Sequence, residues 1–492
     1  MVTPLAAMPA ARAALARIPF VGRGSELARL AQRLAEAGLA RGGLLMLVGE
    51  AGIGKTRTAE VFCAAARDAG ALTLWGRCDE GGWAPPFEPF RAMLVAYAEQ
   101  TDCDTLRAAL GAGANVLAGL TPYLQRRLPD LPAPLALGPD ESRLRLFDAV
   151  TQFLLACSAA RPVVLVLDDL HWADAGTIAL LRYTARYASA HRLLLVGTYR
   201  DAAIEMGAPL AEALAALRHD TCFERLALRP LDRGAIADLL AQLGGGVAAE
   251  VVAAVDTAGE GNPFFIRELL LDLLETGCIA PRPEGWCFDL SAQRGRVPEG
   301  IRDLVRRRLA RLSPAARRLL DVAAFLGDGF RFDLAAAVAG LEQGVALAAL
   351  DEALAAQIVR PGPDGDAYEF VHAMLRQTLY AEPSPSRRLR QHRDIAEALE
   401  RLAGGSAGDA HAAAIAHQYH RSAALPGAER GVPYAVAASE RAAATGAHDE
   451  VARQVQIALA LLPAGDARRP RLLANLGLAL AWARAGEVAV RT

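Results

Sequence analysis

Residues 49–56 read Gly49-Glu50-Ala51-Gly52-Ile53-Gly54-Lys55-Thr56, the GxxxxGK[ST] spacing of a phosphate-binding loop. The chemistry dictates the residue types. Glycines let the backbone turn tightly enough for its N–H groups to converge on phosphate oxygens, and a helix beginning at the end of the loop adds a favourable dipole. Lys55 is expected to reach the β- and γ-phosphates, Thr56 to offer its hydroxyl to Mg2+, and Arg57 to flank them. Of the 53 basic residues, Lys55 is the sole lysine; the rest are arginine. A compact ammonium and a planar guanidinium are not equivalent on a phosphate. A chain that otherwise uses arginine keeps lysine at a position where arginine does not serve.

A phosphate loop calls for a carboxylate that holds Mg2+ at the end of a neighbouring buried strand. The run Val163-Val164-Leu165-Val166-Leu167-Asp168-Asp169 offers five aliphatics followed by two acids. This Walker B pattern assigns Asp168 to Mg2+ and Asp169 to orienting or deprotonating the attacking water. A third run, Leu193-Leu194-Leu195-Val196-Gly197-Thr198-Tyr199-Arg200, also ends in polar side chains. Thr198 and Arg200 stand where a strand tip would sense a γ-phosphate. Lys55, Asp169 and Arg200 are therefore the expected catalytic set.

Positioning these groups needs a parallel α/β core. Residues 43–48, 71–75 and 163–168 read as strands, and 57–68 has helical spacing, which puts the glycine loop in a strand–loop–helix context. The predicted fold is an α/β P-loop NTPase core followed by a helical lid, a winged-helix-like domain and α-helical repeats. The expected boundaries are a tail over 1–17, the core over 18–205, the lid over 206–296, the winged-helix-like domain over 297–404 and incomplete tetratricopeptide-like repeats over 405–492. A helical insertion is expected before residue 163, ending in the Pro-rich stretch 128–134. A strand pair is expected around the turn 361–366. The arginines at 302, 306, 307, 308, 311, 317 and 318 fall on more than one helix face between apolar residues, so they read as a solvated helix surface and not as a nucleic-acid stripe.

Net charge is −2, which argues against a global basic field for nucleic acid or anionic membrane. No apolar run reaches the ~18 residues of a membrane helix, and seven scattered cysteines contain no CxxC. A cytoplasmic location is the expectation. Stacked repeats need a polar cap; this series stops at Arg491-Thr492 without one, so a truncated product, or a partner that completes the stack, is expected.

The motifs resemble the ATPase module of the STAND class of P-loop NTPases, and most of all that of the large ATP-binding LuxR-type (MalT-like) regulators with an Orc1-like AAA domain. The resemblance rests on Phe20-Val21-Gly22-Arg23 and GEAGIGKTR at 49–57, on LVLDDLHWAD at 165–174, and on GTYRD at 197–201. It continues through Gly261-Asn262-Pro263-Phe264-Phe265-Ile266-Arg267-Glu268-Leu269 and Phe370-Val371-His372-Ala373-Met374-Leu375-Arg376, running from about residue 18 to about 486. It implies that Val21, Gly22 and Arg23 line the adenine end of an ATP/ADP pocket, that Asn262 and Pro263 cap the base or ribose, and that His372 contacts the nucleotide. It further implies a switch, Mg2+-dependent and slow in hydrolysis, that self-associates with ATP and meets an effector or protein partner through its repeats. Nothing in the sequence matches the helix-turn-helix of those regulators, so no DNA-binding module and no membrane contact are expected. His171 and Trp172 are compatible with packing beneath the Walker B loop or with a role in catalysis. The rival expectation is a turnover ATPase that uses an arginine in trans, with Arg143 and Arg145 as candidates; a third is an inert remnant.

Overall fold

Strands made only of buried apolar residues must lie inside a sheet covered on both faces. Gly43–Val48 (β1) and Val163–Asp168 (β3) are buried along their whole length, as is Leu193–Tyr199 (β4). In the computed structural model these strands join Leu72–Arg77 (β2) and Phe223–Ala227 (β5) in one sheet of order β2-β3-β4-β1-β5. The pairs β2/β3, β3/β4 and β4/β1 are parallel, with Arg77 opposite Asp168 and Leu47 opposite Thr198. The structure describes residues 19–491 apart from 79–84, 132–138, 202–208, 218–221, 244–248, 277, 283–284, 289–300, 328, 363–365 and 404–410. The expected tail over 1–17, Pro132 to Pro134, Val297 to Glu299, and Asp364 with Gly365 lie outside the described residues.

The chain forms two compact units. The P-loop unit takes residues up to Ala28, then Gly49–Thr58 and Ala227–Ser384; the sheet unit takes Arg29–Val48, Ala59–Leu226 and Pro385–Thr492. In the sheet unit the expected helical insertion is present, as Glu88–Gln100, Cys103–Leu110, Ala114–Leu120 and Pro122–Arg127, but it does not end at the Pro-rich stretch: the long helix Pro139–Ala160 follows before β3. Its apolar faces share one core with the sheet, including Phe87, Phe90, Phe147 and Phe153. Farther on, Val432–Ala444, His448–Leu461 and Arg469–Arg491 pack successively on one another. Among the described residues no single helix is long and apolar enough to cross a membrane.

Two expectations need correction. The sheet does not end at residue 205, because β5 lies beyond it and pairs beside β1, where the Leu44 N–H donates to the Cys222 carbonyl (2.8 Å). The Walker B strand is not the immediate neighbour of the P-loop strand either: β4 stands between β1 and β3. Hydrophobic runs say which strands are interior but carry no information on their order.

In the P-loop unit the helices Arg233–Leu243, Ala249–Gly259 and Pro263–Glu275 enclose a separate apolar core around Ile236, Leu240, Ile266 and Leu270. Helices Pro314–Leu326, Phe332–Ala339 and Gln343–Ala355 then lead into a small antiparallel sheet of Gly329–Arg331, Val359–Pro361 and Ala367–Phe370. The strand pair around 361–366 is therefore present. The arginine run is not simply a solvated surface. Arg308 is buried, ion-paired to Glu268, and donates to the Gln357 carbonyl (3.1 Å), while Arg311 meets Asp272 at 2.8 Å. Burying Glu268 without a cation is costly, so the run's spacing serves internal pairing as well as solvation.

The helix pair Pro385–Leu402 and Ala412–Arg421 of the sheet unit carries histidines held neutral. Burial drives His392 down to about 4, against an opposing hydrogen bond to Gln418 (2.6 Å), and burial with neighbouring Arg453 and Arg421 drives His417 down to about 3. The unfolded chain binds these protons near the ordinary value of 6.5. Their contribution to stability is therefore complete above pH ~6.5 and is lost as pH falls toward 4. Denaturation midpoints are expected to drop between pH 7.5 and 5, with His392 alone accounting for about 1–2 kcal/mol. His392→Gln is expected to flatten that dependence; an unchanged slope would remove His392 as its source.

Candidate functional site

The glycine loop departs from the buried end of β1, where chain direction and helix start leave little backbone choice. Gly54 has φ +100°, and Gly52 has φ +84°, both in the region side chains rarely adopt. Gly52 is also crowded: a Cβ there would stand 2.9 Å from Asn262 Oδ1, 2.9 Å from Phe264 Cβ and 3.3 Å from His372 Nε2. The Lys55 side chain is only 6% exposed, and Nζ donates to the carbonyls of Gly49 (3.0 Å) and Glu50 (2.9 Å). The ammonium thus lies in the concavity of the loop. Ile53 is buried, Ala51 and Thr56 are half-buried, and Glu50 and Arg57 face solvent.

Arg23 braces this loop from outside. It is buried and donates to the carbonyls of Ile53 (3.0 Å) and Arg229 (2.6 Å) while pairing with Glu26 at 3.2 Å. Partial burial pushes the Glu26 carboxyl up, but the Ser25 hydroxyl and Arg23 hold it below the usual carboxylate range. Val21 packs on the apolar core around Ile236 and Leu240, and Gly22 lies so close to the helix Arg233–Leu243 that a Cβ would come within 2.6 Å of Ala235 Cβ. With its guanidinium committed to protein carbonyls, Arg23 acts as a positioning residue for the loop.

The helix Pro263–Glu275 meets the loop through Asn262. Its Oδ1 accepts from the Phe264 N–H (3.1 Å), capping the helix Pro263–Glu275, with Pro263 in its first turn. Its Nδ2 donates to the Ala51 carbonyl (3.0 Å). One amide therefore both starts this helix and ties it to the phosphate loop. His372 arrives on the same spot: its ring stacks on Phe264 at 3.7 Å, interplanar angle 19°. Its Nδ1 accepts from the Met374 N–H (3.2 Å), which in the neutral ring leaves the proton on Nε2, the nitrogen nearest Gly52. The aromatic partner Phe264 was not singled out as a site residue in the sequence. Its signal was its place directly after the Asn-Pro turn.

In the sheet unit, Asp168 is 1% exposed at the end of β3. Thr198 on β4 joins the acidic pair: its hydroxyl donates to Asp168 Oδ1 (2.6 Å) and accepts from the Asp169 N–H (2.8 Å). Asp169 adopts φ +56°, turning its carboxylate away from the line of Asp168 and toward Arg77 and His171, each 3.9 Å away. A non-glycine residue in that region is uncommon and marks a constrained position. Arg77, at the end of β2, was missed in the sequence; its signal was a charged residue closing a half-buried strand. The His171 side chain is 3% exposed and lies beside Trp172, with ring centroids 5.0 Å apart. Asp174 caps the helix Ala175–Ala188 through the Thr177 N–H (2.9 Å) and also accepts from the Phe87 N–H (3.3 Å). Arg200 is half-buried just past β4. Of the two arginines named as candidates in trans, Arg143 is buried over Phe147, which leaves it poorly placed to reach another chain, while Arg145 is exposed and pairs with Glu141 at 2.9 Å.

A glycine loop with a buried ammonium can hold a polyanion, and a buried carboxylate tethered by a hydroxyl can hold a hard cation. Residues 19–196 match the AAA ATPase domain. That span contains the glycine loop, Lys55, Asp168 and Asp169 but ends before Thr198, the helix Pro263–Glu275 and the small antiparallel sheet. Along 468 residues the chain is 24% identical to an uncharacterized protein of Rhizobium meliloti (strain 1021), covering 90% of this chain and 43% of that relative. The chain thus spans less than half the length of the curated relative. Among solved structures, it is similar to a STAND protein with a tetratricopeptide repeat sensor from Pyrococcus horikoshii, at 13% identity and a TM-score of 0.48, over 96% of this chain and 65% of that one. It is also similar to the ORC1 protein of Aeropyrum pernix, solved in complex with DNA, at 18% identity and a TM-score of 0.35, over 76% of this chain and 97% of that one.

Proposed function

We infer that the chain is an ATP-binding switch, the ATPase and sensor portion of a LuxR-type (MalT-like) regulator of transcription. The observation that carries this reading is the double bond of Asn262 to the Phe264 N–H and to the Ala51 carbonyl, which makes the lid part of the phosphate loop's own packing. An enzyme that only turns over ATP has no need of such a tie; a switch does, because its ligand must bias one arrangement over another. In this reading ATP or ADP sits on the glycine loop, with Lys55 on the phosphates and Thr56 and Asp168 holding Mg2+. Asp169 orients water, and Arg200 senses the γ-phosphate. Val21 and Gly22 border the base, Asn262 and Pro263 close over it from the lid, and the Nε2–H of His372 donates toward a phosphate oxygen. ADP favours the closed lid, ATP favours self-association, and slow hydrolysis returns the protein to rest. The helical repeats would receive an effector or protein partner, and the protein would act in the cytoplasm.

Light scattering on the eluting protein tests this reading. With Mg2+ and a slowly hydrolysed ATP analogue the mass is expected to exceed that with Mg2+ and ADP; identical masses and identical lid protease sensitivity would refute it. Asn262→Ala tests the carrying contact itself. Loss of a cap costs about 1 kcal/mol and loss of one further hydrogen bond about 1 more. ADP is therefore expected to bind about 10–30-fold more weakly and to leave faster, as read by stopped-flow displacement of a fluorescent ADP. Unchanged release would show that Asn262 is only a cap.

A further inference from the structure

A second concavity lies wholly within the sheet unit, where the insertion helices, the long helix Pro139–Ala160 and the turn Ala444–Thr445 of the repeats converge. Its volume is about 730 Å³, inside the ~300–1,000 Å³ range of small-molecule sites. It exists because its walls carry small side chains, among them Ala109, Ala112, Gly119 and Ala156, above buried Leu110, Leu120 and Leu146. The walls are not free to close. Gly113 approaches the long helix so tightly that a Cβ would stand 2.8 Å from Ala149 Cβ. The rim is polar but balanced: Asn115, Ser142 and Gln152 are neutral, the Arg145 charge is met by Glu141 at 2.9 Å, and Asp148 accepts from the Gln152 amide at 3.4 Å. Apolar floor and balanced rim exclude a strongly charged occupant.

The turn that closes one end is connected to a poorly satisfied cluster. The next residue, Gly446, sits on Arg143, with a Cβ position 3.3 Å from Arg143 Cβ. Arg143 is 4% exposed, and its Nε and Nη1 have no hydrogen-bond partner. Unpaired buried donors cost about 1–3 kcal/mol each, so a modest ligand energy is enough to change how this turn is seated. Beyond it, Asp449 in His448–Leu461 feels both Arg143 and Asp174, the cap that follows the Walker B pair by a few residues.

We propose that this cavity binds a neutral or zwitterionic amphipathic small molecule and that its occupancy sets how the repeat turn 444–449 seats on the helix Pro139–Ala160. The cavity is then the effector site of the switch inferred above, and its regulatory consequence rests on that reading; the binding itself does not.

The test uses the full chain and N-phenyl-1-naphthylamine, a neutral amphiphile whose fluorescence rises in apolar surroundings. One saturable site per chain is expected, weakened at least tenfold by Ala156→Trp and by Ala112→Trp, which fill the cavity from two walls at exposed positions, with far-ultraviolet circular dichroism unchanged. Binding that never saturates, or that both variants retain, overturns the site. Saturating probe is also expected to change ATP hydrolysis at least twofold in the parent chain and not in Ala156→Trp. A chain that hydrolyses ATP, binds the probe one to one and shows no change in rate overturns the effector role. A chain that binds no nucleotide overturns the switch reading, while the fluorescence result still decides the cavity.

Discussion

Lys55→Ala is expected to abolish nucleotide retention. Protein purified from cells, denatured and chromatographed should release near-stoichiometric ADP from the parent chain and none from the variant. Lys55 is buried and its Nζ is already held by the Gly49 and Glu50 carbonyls, so the charge is pre-positioned in the concavity of the loop. Removing it takes away a charge-assisted contact worth about 3 kcal/mol, or about a hundredfold in affinity. It also leaves two loop carbonyls without this donor. Lys55→Arg is expected to fail nearly as fully, because the planar guanidinium cannot occupy the same small space. Calorimetric titration with ATP gives the affinities. ADP retained by Lys55→Ala would refute the assignment of the loop; an empty parent chain that turns over added ATP rapidly would favour the turnover enzyme.

Asp168→Asn is expected to separate binding from chemistry. The asparagine keeps an oxygen where Thr198 donates at 2.6 Å, so the strand end should hold its shape. The charge that holds Mg2+ is lost, and metal stabilisation of transferring phosphate is worth several kcal/mol. Single-turnover hydrolysis is therefore expected to fall about a thousandfold, ~4 kcal/mol, while metal-free ATP binding changes less than about threefold. Asp169→Asn should lower the rate without altering Mg2+ affinity, because its carboxylate points toward Arg77 and His171. A Mg2+ titration that is unchanged in Asp168→Asn would move the metal site elsewhere.

Much of this was legible in the chain. Five buried apolar residues before Gly49, five before Asp168, and one lysine in a chain of arginines identify the core strands and the phosphate loop without any tertiary information. These are local signals: a strand buried on both faces must be apolar throughout, and tight phosphate loops must have glycine where φ is positive. The Asn-Pro turn was equally local, since Asn262 caps the helix that its own sequence starts.

What the tertiary structure alone decided is partnership. That β4 lies between the P-loop strand and the Walker B strand follows from crossover connections, which hydrophobic patterning does not encode. That order is why Thr198, on the strand beside β3, organises Asp168 and Asp169. The same holds for the Asn262 tie to Ala51, the stacking of His372 on Phe264, and the burial of Arg308 against Glu268. Each joins residues 40 or more positions apart in sequence. Residue type and spacing determine what a side chain is able to do; which distant group it meets is set by how whole elements pack to remove apolar surface from water, a choice made collectively by the chain.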